Sequence, residues 1–514
     1  MTLGRRIYFS SLMLLIVATA AGSFANGVFF LTQPYQRNYG EGLVAWQAAH
    51  ITDPQRAYAP LDRYPFVVFQ YPPLFHLAVR ALARLARTPD LLAAGRAVSL
   101  ISAAILCVVA GWATFRATPR RVGIDKRILA AAFAGALPTA FYNFDWAWLA
   151  RVDLLAVLLS FSAVAIFAAW PRSVPVQVMA SILTIAALFT RQTALAAPAT
   201  CLLVAWLMDR KIFVRMLMVM GTLGGAAFGL LEWRTHGQAY FHLIRYNQVA
   251  FSPFRAGQGI LMNVRHVVGP LLLAAGVSFP KVRAAGGLAL RGRWTLLSKN
   301  LSANGYRRGV VLFAIYGIVA ALTALTFGKE GSDVNYFLEW NVALTPLVGI
   351  LLFRAVFAAR GLLRWQPLTV TALAVPLLLL ETGFDRARDG WLRALHGPLP
   401  ADVEAAEVYH RMLATVQKSG GLVFSEDMNL LYQAGQDIPA EPAMIQCLVK
   451  ARLWDETPLA RMIREHQFAL IIAQGGFSPE RYSPSLISVI SSFYELTSTA
   501  GEYKLYRPRA GPGN

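Results

Sequence analysis

The chain has 514 residues, 56% of them hydrophobic and 15% charged, with a formal net charge of +20. A soluble chain carries charge on roughly a quarter of its residues, so this composition excludes an ordinary soluble protein and argues for an α-helical polytopic membrane protein. The basic excess does not argue for nucleic acid, because Arg and Lys cluster in alternate short loops, as they do on the cytoplasmic side of membrane proteins.

The first apolar run, 8–31, follows Arg5 and Arg6. It is long for a signal peptide and more runs follow, so we read it as an uncleaved first span with the N-terminus inside. An outer loop, 32–92, comes next. It holds Asn38-Tyr39-Gly40-Glu41-Gly42, an amphipathic stretch from Glu41 to His50, and Tyr71-Pro72-Pro73-Leu74. Residues 73–87 carry Arg80, Arg84 and Arg87 three or four apart, on one face of a helix. That pattern predicts a second interfacial helix. If it spanned, every later basic loop would face outward.

Further apolar segments lie near 93–115, 128–147, 152–170, 174–190, 193–208, 212–232, 259–280, 308–327, 336–357 and 367–383. With the first, they make about eleven transmembrane helices. Basic loops alternate with aromatic ones, which places the tail outside. The three cysteines form no disulfide framework or zinc site, and no internal repeat is seen.

Two domains are expected: a transmembrane part, 1–383, and a small C-terminal α/β domain, 384–514, facing the periplasm or the exterior. In the latter, Ala401–Lys418, Ala443–Leu453 and Pro458–Glu465 read as helices. Leu422–Phe424, Phe468–Ile472 and Tyr503–Tyr506 read as strands. Ser425-Glu426-Asp427 reads as a helix cap.

Five strings share one side of the expected membrane: Tyr39-Gly40-Glu41-Gly42, Tyr71-Pro72-Pro73-Leu74, Ala150-Arg151-Val152-Asp153-Leu154-Leu155, Thr190-Arg191-Gln192-Thr193-Ala194-Leu195 and Asn335-Tyr336-Phe337-Leu338-Glu339. In this order the chain resembles the GT-C superfamily of integral-membrane glycosyltransferases. It is most similar to the protein-mannosyltransferase, aminoarabinose-transferase and lipid A galacturonosyltransferase-like members. The resemblance implies an inverting glycosyltransferase of the bacterial inner membrane. It would move a sugar from a polyprenyl-phosphate-linked donor to a glycan, lipid or protein acceptor at the outer face, with a divalent metal ion as an optional cofactor. Many such enzymes carry two adjacent acids in the first outer loop; here Glu41 is followed by Gly42.

Such transfer needs a base for the acceptor hydroxyl and cations for the leaving phosphate. Glu41 is the expected base; its plainer role is a carboxylate at a helix start. Arg151 and Asp153 form either a local ion pair or part of the site. Arg191 stands between two spans with almost no loop and needs a partner, either a lipid phosphate, Asp153 or Asp145. His242 and Arg245 share a face if their loop is helical, which suits phosphate or sugar contact. Lys329 precedes Asn335, Tyr336 and Glu339; Asn335 and Glu339 are four apart, and Glu339 needs a partner such as Arg191 or Arg151. The rival reading is a transporter or flippase of lipid-linked sugars, which would need charges through the depth of several spans. A further alternative is a non-catalytic scaffold with the tail as an interaction module.

Overall fold

Long stretches of Leu, Val, Ile, Ala and Phe without charge favour helices whose backbone satisfies itself. In a computed structural model, which describes residues 3–119, 123–357 and 383–509, they form most of the chain. Helix α1 (Leu3–Leu31) leads into α2 (Glu41–His50) and α3 (Leu74–Ala86). The bundle continues with α4 (Leu91–Ala117), α5 (Ile124–Ala136), α6 (Asp153–Ala169), α7 (Val174–Leu188), α8 (Ala196–Met208) and α9 (Arg210–Arg234). After the short α10 (Gln238–Tyr240) come α11 (Pro253–Leu290), α12 (Trp294–Ala303), α13 (Gly305–Ala324) and α14 (Leu338–Phe357).

Among the described residues, Met13–Leu31, Leu91–Ala117, Arg210–Arg234, Pro253–Leu290 and Gly305–Gly328 are long and apolar enough to cross a membrane. Helices α6, α7 and α8 are apolar but shorter, at 17, 15 and 13 residues. Helix α9 leaves Leu217, Met218, Leu223 and Leu230 exposed, as a lipid-facing helix does.

Three expectations change. The predicted span 128–147 is regular only to Ala136 and then breaks into 3-10 turns at Leu137–Ala140 and Phe144–Trp148; Pro138 has no N–H to continue the ladder. The span at 259–280 lies inside a 38-residue helix with a kink at Val267 and prolines at 270 and 280. That helix and α12 take up much of the expected basic loop. The first-loop stretch at Glu41–His50 is helical but not amphipathic, since α2 is buried from Glu41 to Ala48. Helix α3 forms as predicted, burying Phe75, His76, Val79 and Ala83, but of the three arginines Arg84 is exposed on the helix, Arg80 is half-buried against the Ala48 and Ala49 carbonyls, and Arg87 lies just past the helix end. The segment 367–383 lies outside the described residues but for Gly383.

The tail opens with a helix over 383–396 (α15), then α16 (Pro400–Gln417). Trp391 donates to the Ala18 carbonyl of α1 at 3.0 Å, and Arg393 joins Asn26 of α1 to Asp402 of α16. Strands β1 (Leu422–Ser425), β2 (Phe468–Gln474), β3 (Tyr494–Ala500) and β4 (Tyr503–Pro508) form one sheet in the order β1-β2-β4-β3, with β1 and β2 parallel and the rest antiparallel. Helices α17 (Met428–Gln433), α18 (Pro442–Lys450), α19 (Thr457–Arg464) and α20 (Pro484–Phe493) surround it. Strand β3 escapes sequence reading because it is an edge with mostly exposed residues and no apolar run. Asp427 is the predicted cap, accepting from the Asn429 and Leu430 amides.

The tail shares its core with the first outer loop. Leu43, Trp46, Tyr58 and Phe69 pack with Tyr409, Met428, Leu431 and Leu470 in one cluster. Phe66 forms a parallel bridge with Ala440, and its amide donates to the Pro439 carbonyl at 2.8 Å.

Candidate functional site

The site assembles where four connections meet beneath the tail. Asp153 opens α6, where a carboxylate is favoured by the helix dipole, and is fully buried. Its Oδ1 accepts from Arg191 at 2.8 Å and from Asn335 Nδ2 at 2.9 Å. Its Oδ2 is buried with no hydrogen-bond partner. Arg191 sits in the tight turn between α7 and α8, its guanidinium 4.4 Å from the centre of the Tyr336 ring. Of the two protein partners expected for Arg191, Asp153 is the one present; Asp145 pairs with Arg386 instead. Asn335 and Tyr336 are presented by the 3-10 turn Val334–Phe337, capped by Asp333.

Arg151 lies two residues before Asp153. It donates to the Tyr39 carbonyl at 3.1 Å, lies 5.3 Å from the Trp146 ring centre, and keeps a buried Nε without a partner. Gly40, at φ 91°, passes so close that a Cβ there would meet the Arg151 Nη1 at 2.7 Å. Tyr71 completes the cluster, within electrostatic reach of Arg151, Asp153, Tyr336 and Arg191. The Tyr-Pro-Pro-Leu segment is pinned beside the α7–α8 turn: Leu74 N donates to Phe189 O at 3.0 Å, and Gln192 donates to the Gln70 carbonyl at 2.8 Å. Lys329 makes one long bond, 3.4 Å to the Asn247 carbonyl. Burial and the nearby Arg191 hold its ammonium below the usual lysine range.

One member was not predicted. Glu441, at the start of α18, is 7% exposed and accepts from Gln70 Nε2 at 2.6 Å. Burial pushes its carboxyl up to about 7, with Arg151 and Gln70 pulling the other way. The bridge between Phe66 and Ala440 delivers it, and the Tyr39 hydroxyl accepts from the Ala443 amide beside it at 3.2 Å. Nothing local in Pro439-Ala440-Glu441-Pro442 marks a site, so only contact with the first loop reveals it.

Glu41 does not join the cluster as a free carboxylate. It is fully buried, and Arg96 grips both oxygens at 2.9 and 3.0 Å. The Ala150 amide adds a bond at 2.8 Å and the Arg37 amide one at 2.6 Å. Burial pushes its pKa up, but Arg96 and those amides more than reverse this and leave it below the usual carboxylate range. Arg96 in turn donates to the carbonyls of Phe30, Gln33 and Tyr35, which uses every N–H of the guanidinium. Glu41 has no oxygen left for a substrate proton; it holds the loop against Ala150, next to Arg151. Sequence reasoning missed Arg96, although a charge inside the apolar run 93–115 is a signal that a partner exists.

His242 and Arg245 lie apart, and Glu339 bonds no member of the cluster although Arg191 is within its electrostatic reach. His242 is buried, its Nδ1 accepting from the Phe69 amide and its Nε2 bonded to the Ala59 carbonyl, so it staples the first loop. Burial pushes its pKa down to about 4, which keeps it neutral. Arg245 is exposed and bonds Gln248; the two share no site. Glu339 bonds neither arginine but accepts from the Tyr316 hydroxyl at 2.8 Å inside the bundle. Among the described residues no three His, Cys, Asp or Glu side chains converge on a metal position. The cluster's own carboxylates lie among guanidinium and ammonium groups, a donor set that does not suit a cation.

No family model matches the sequence, and no curated protein matches it. Solved structures do. ArnT, the aminoarabinose transferase from Cupriavidus metallidurans, bound to undecaprenyl phosphate, superposes with a TM-score of 0.59 at 15% identity, over 97% of this chain and 99% of its own. Its apo form gives 0.58 at 15% identity, over 98% and 99%. The oligosaccharyltransferase of Archaeoglobus fulgidus in its apo form gives 0.51 at 11% identity, over 91% of this chain and 69% of its own. The chain shares its fold with ArnT. The resemblance drawn from five short strings is therefore met at the level of architecture. Gly42 follows Glu41 in the first turn of α2. A Cβ on it would lie 2.2 Å from the Asn429 amide nitrogen, so no side chain fits between α2 and α17.

Proposed function

We propose that the protein is an inverting glycosyltransferase that takes a sugar from a polyprenyl-phosphate-linked donor at the outer face of the bacterial cytoplasmic membrane. The observation that carries this reading is the charge balance of the cluster. Arg151 and Arg191 gather about Tyr71, and Lys329 lies within electrostatic reach of Arg191, while the Asp153 carboxylate among them is already committed to Arg191. Arg151 keeps an unused N–H and Lys329 is barely engaged. Such a surplus suits a phosphate, and the GT-C fold with ArnT's bound undecaprenyl phosphate supports a lipid-borne one.

In this mechanism the acceptor hydroxyl oxygen attacks the anomeric carbon and the carbon–oxygen bond to phosphate breaks. The electron pair leaves with polyprenyl phosphate, where Arg151 and Lys329 stabilise the growing charge. The hydroxyl proton passes to Glu441, whose carboxyl lies near neutrality, where a general base works best. Arg191 is held by Asp153 and stacked on Tyr336, so it presents a fixed face to the donor. Direct displacement with one base inverts the anomeric centre. Glu41 acts through position alone, by holding Ala150 and the turn that carries Arg151. The acceptor is a glycan, lipid or protein. The N-terminus lies in the cytoplasm and the tail outside, following the basic loops.

The test is release of free polyprenyl phosphate from a panel of polyprenyl-phosphate sugars by protein reconstituted in liposomes, wild type beside Arg151→Gln. Release by the wild type and its loss by at least a hundredfold in the variant is the expected result. Release at equal rates would remove the phosphate role from this cluster. No release with any donor and acceptor would remove the glycosyltransferase reading.

A further inference from the structure

A second basic pocket lies at the other end of the bundle. Helix α6 starts at Asp153 in the candidate site and ends at Ala169. At 1.5 Å per residue its far end is roughly 24 Å away. There a cavity of 760 Å³ opens between the C-terminal ends of α4 and α6 and the N-terminal end of α13. Among the described residues Arg116, Arg127 and Arg308 line it and no carboxylate does. Arg172 adds a further charge within electrostatic reach of Arg308, as does Arg116.

Arg308 has a structural use. It donates to the Ala168, Ala169, Leu301 and Ser302 carbonyls, and so caps the ends of α6 and α12. Those carbonyls supply no net negative charge. Arg116 lies over the Trp170 ring at 4.7 Å, and its Nε is buried with no partner. The Ser302 hydroxyl is likewise buried and unpartnered. Neither Arg116 nor Arg172 makes a salt bridge among the described residues. Like charges this close raise each other's energy, and a shared anion removes that cost while filling the unused donors.

We propose that this pocket binds the phosphate of an anionic phospholipid headgroup. The walls favour a lipid over a free ion. Phe313, Ala113 and Ala165 form an apolar side continuous with helices α4, α6 and α13, and Trp170 stands at the rim as interfacial tryptophans do. Basic pockets between membrane helices on the cytoplasmic side take such headgroups. The site is independent of the transfer chemistry, so its failure and that of the proposed function are separable.

The experiment is thermal unfolding of the full chain in neutral detergent, titrated with phosphatidylglycerol, with phosphatidylcholine, or with inorganic phosphate at matched ionic strength. A ligand that binds only the folded state raises the melting temperature with concentration. Phosphatidylglycerol is expected to stabilise the wild type, and Arg116→Gln to raise the half-maximal lipid concentration at least tenfold. Arg116→Lys should recover most of the effect. Arg210→Gln, an exposed arginine that does not line the pocket, should leave it unchanged. Equal stabilisation of wild type and Arg116→Gln, or equal stabilisation by phosphatidylcholine, overturns the proposal. Full stabilisation by inorganic phosphate with no further gain from lipid overturns the lipid assignment.

Discussion

Two glutamates, 400 positions apart, differ in how much of their carboxylate is already occupied. Glu41 sits in the string that resembles a catalytic loop, yet five donor contacts from Arg96 and three backbone amides close its carboxylate. Glu41→Gln would leave the Arg96 charge buried without its counter-ion. Breaking a buried pair this way costs about 3–5 kcal/mol, so the variant should lose folded yield and melt earlier. A variant of normal stability with no turnover would return the base role to Glu41. Its depressed pKa gives a second consequence. The stability it contributes is present above the ordinary carboxylate pKa and is lost as pH falls through the folded value; unfolding in acid should therefore begin at higher pH in variants with weakened Arg96 contacts. Glu441 differs in kind. A base must be deprotonated to act, so kcat/KM should rise with pH and level off above about 7. In Glu441→Gln the rate should fall by about 10²–10⁴-fold and that ascending limb should vanish. Retention of the limb in the variant would assign it to another group.

Elements place these side chains by contact rather than by sequence proximity. Helix α2 is packed between α4 and α17, and the approach at Gly42 leaves no room for a methyl group. Gly42→Ala should separate α2 from α17 and loosen the tail, read as faster hydrogen exchange across Asp427–Gln433. Unchanged protection there would mean the α17 backbone yields at little cost. The Phe66–Ala440 bridge has the same logic. It sets the distance between Gln70 and Glu441, so a loop insertion after Phe66 should lower turnover even though no site residue is altered. Neither partner segment nor their pairing was legible in the sequence, because a single parallel bridge outside any strand leaves no pattern in either segment.

As a whole molecule the chain does not divide into a membrane part and a removable tail. Tyr58 and Phe69 of the first loop share a core with Met412 and Leu470 of the tail, and α15 is bound to α1 through Trp391 and Arg393. Ending the chain at residue 383 would expose that core and delete Glu441. The truncated protein should aggregate on size exclusion in detergent; a monodisperse, active 1–383 fragment would refute this account. A basic cluster at one end of the bundle and a basic pocket at the other are then joined by α6.

The sequence by itself determined the membrane class, most of the helices, the α/β character of the tail, and a set of polar residues, Arg151, Asp153, Arg191, Lys329, Asn335 and Tyr336, that do converge. These were legible because charge is rare beside apolar spans, and each instance implies a partner or a use. Only the tertiary structure decided which carboxylate is open. Three of the five contacts that close Glu41 come from positions 55 and 109 residues away, and those that leave Glu441 half-compensated come from the first loop and from Arg151. A carboxylate's chemistry follows from which of its lone pairs are already occupied, and that is a property of the packed structure.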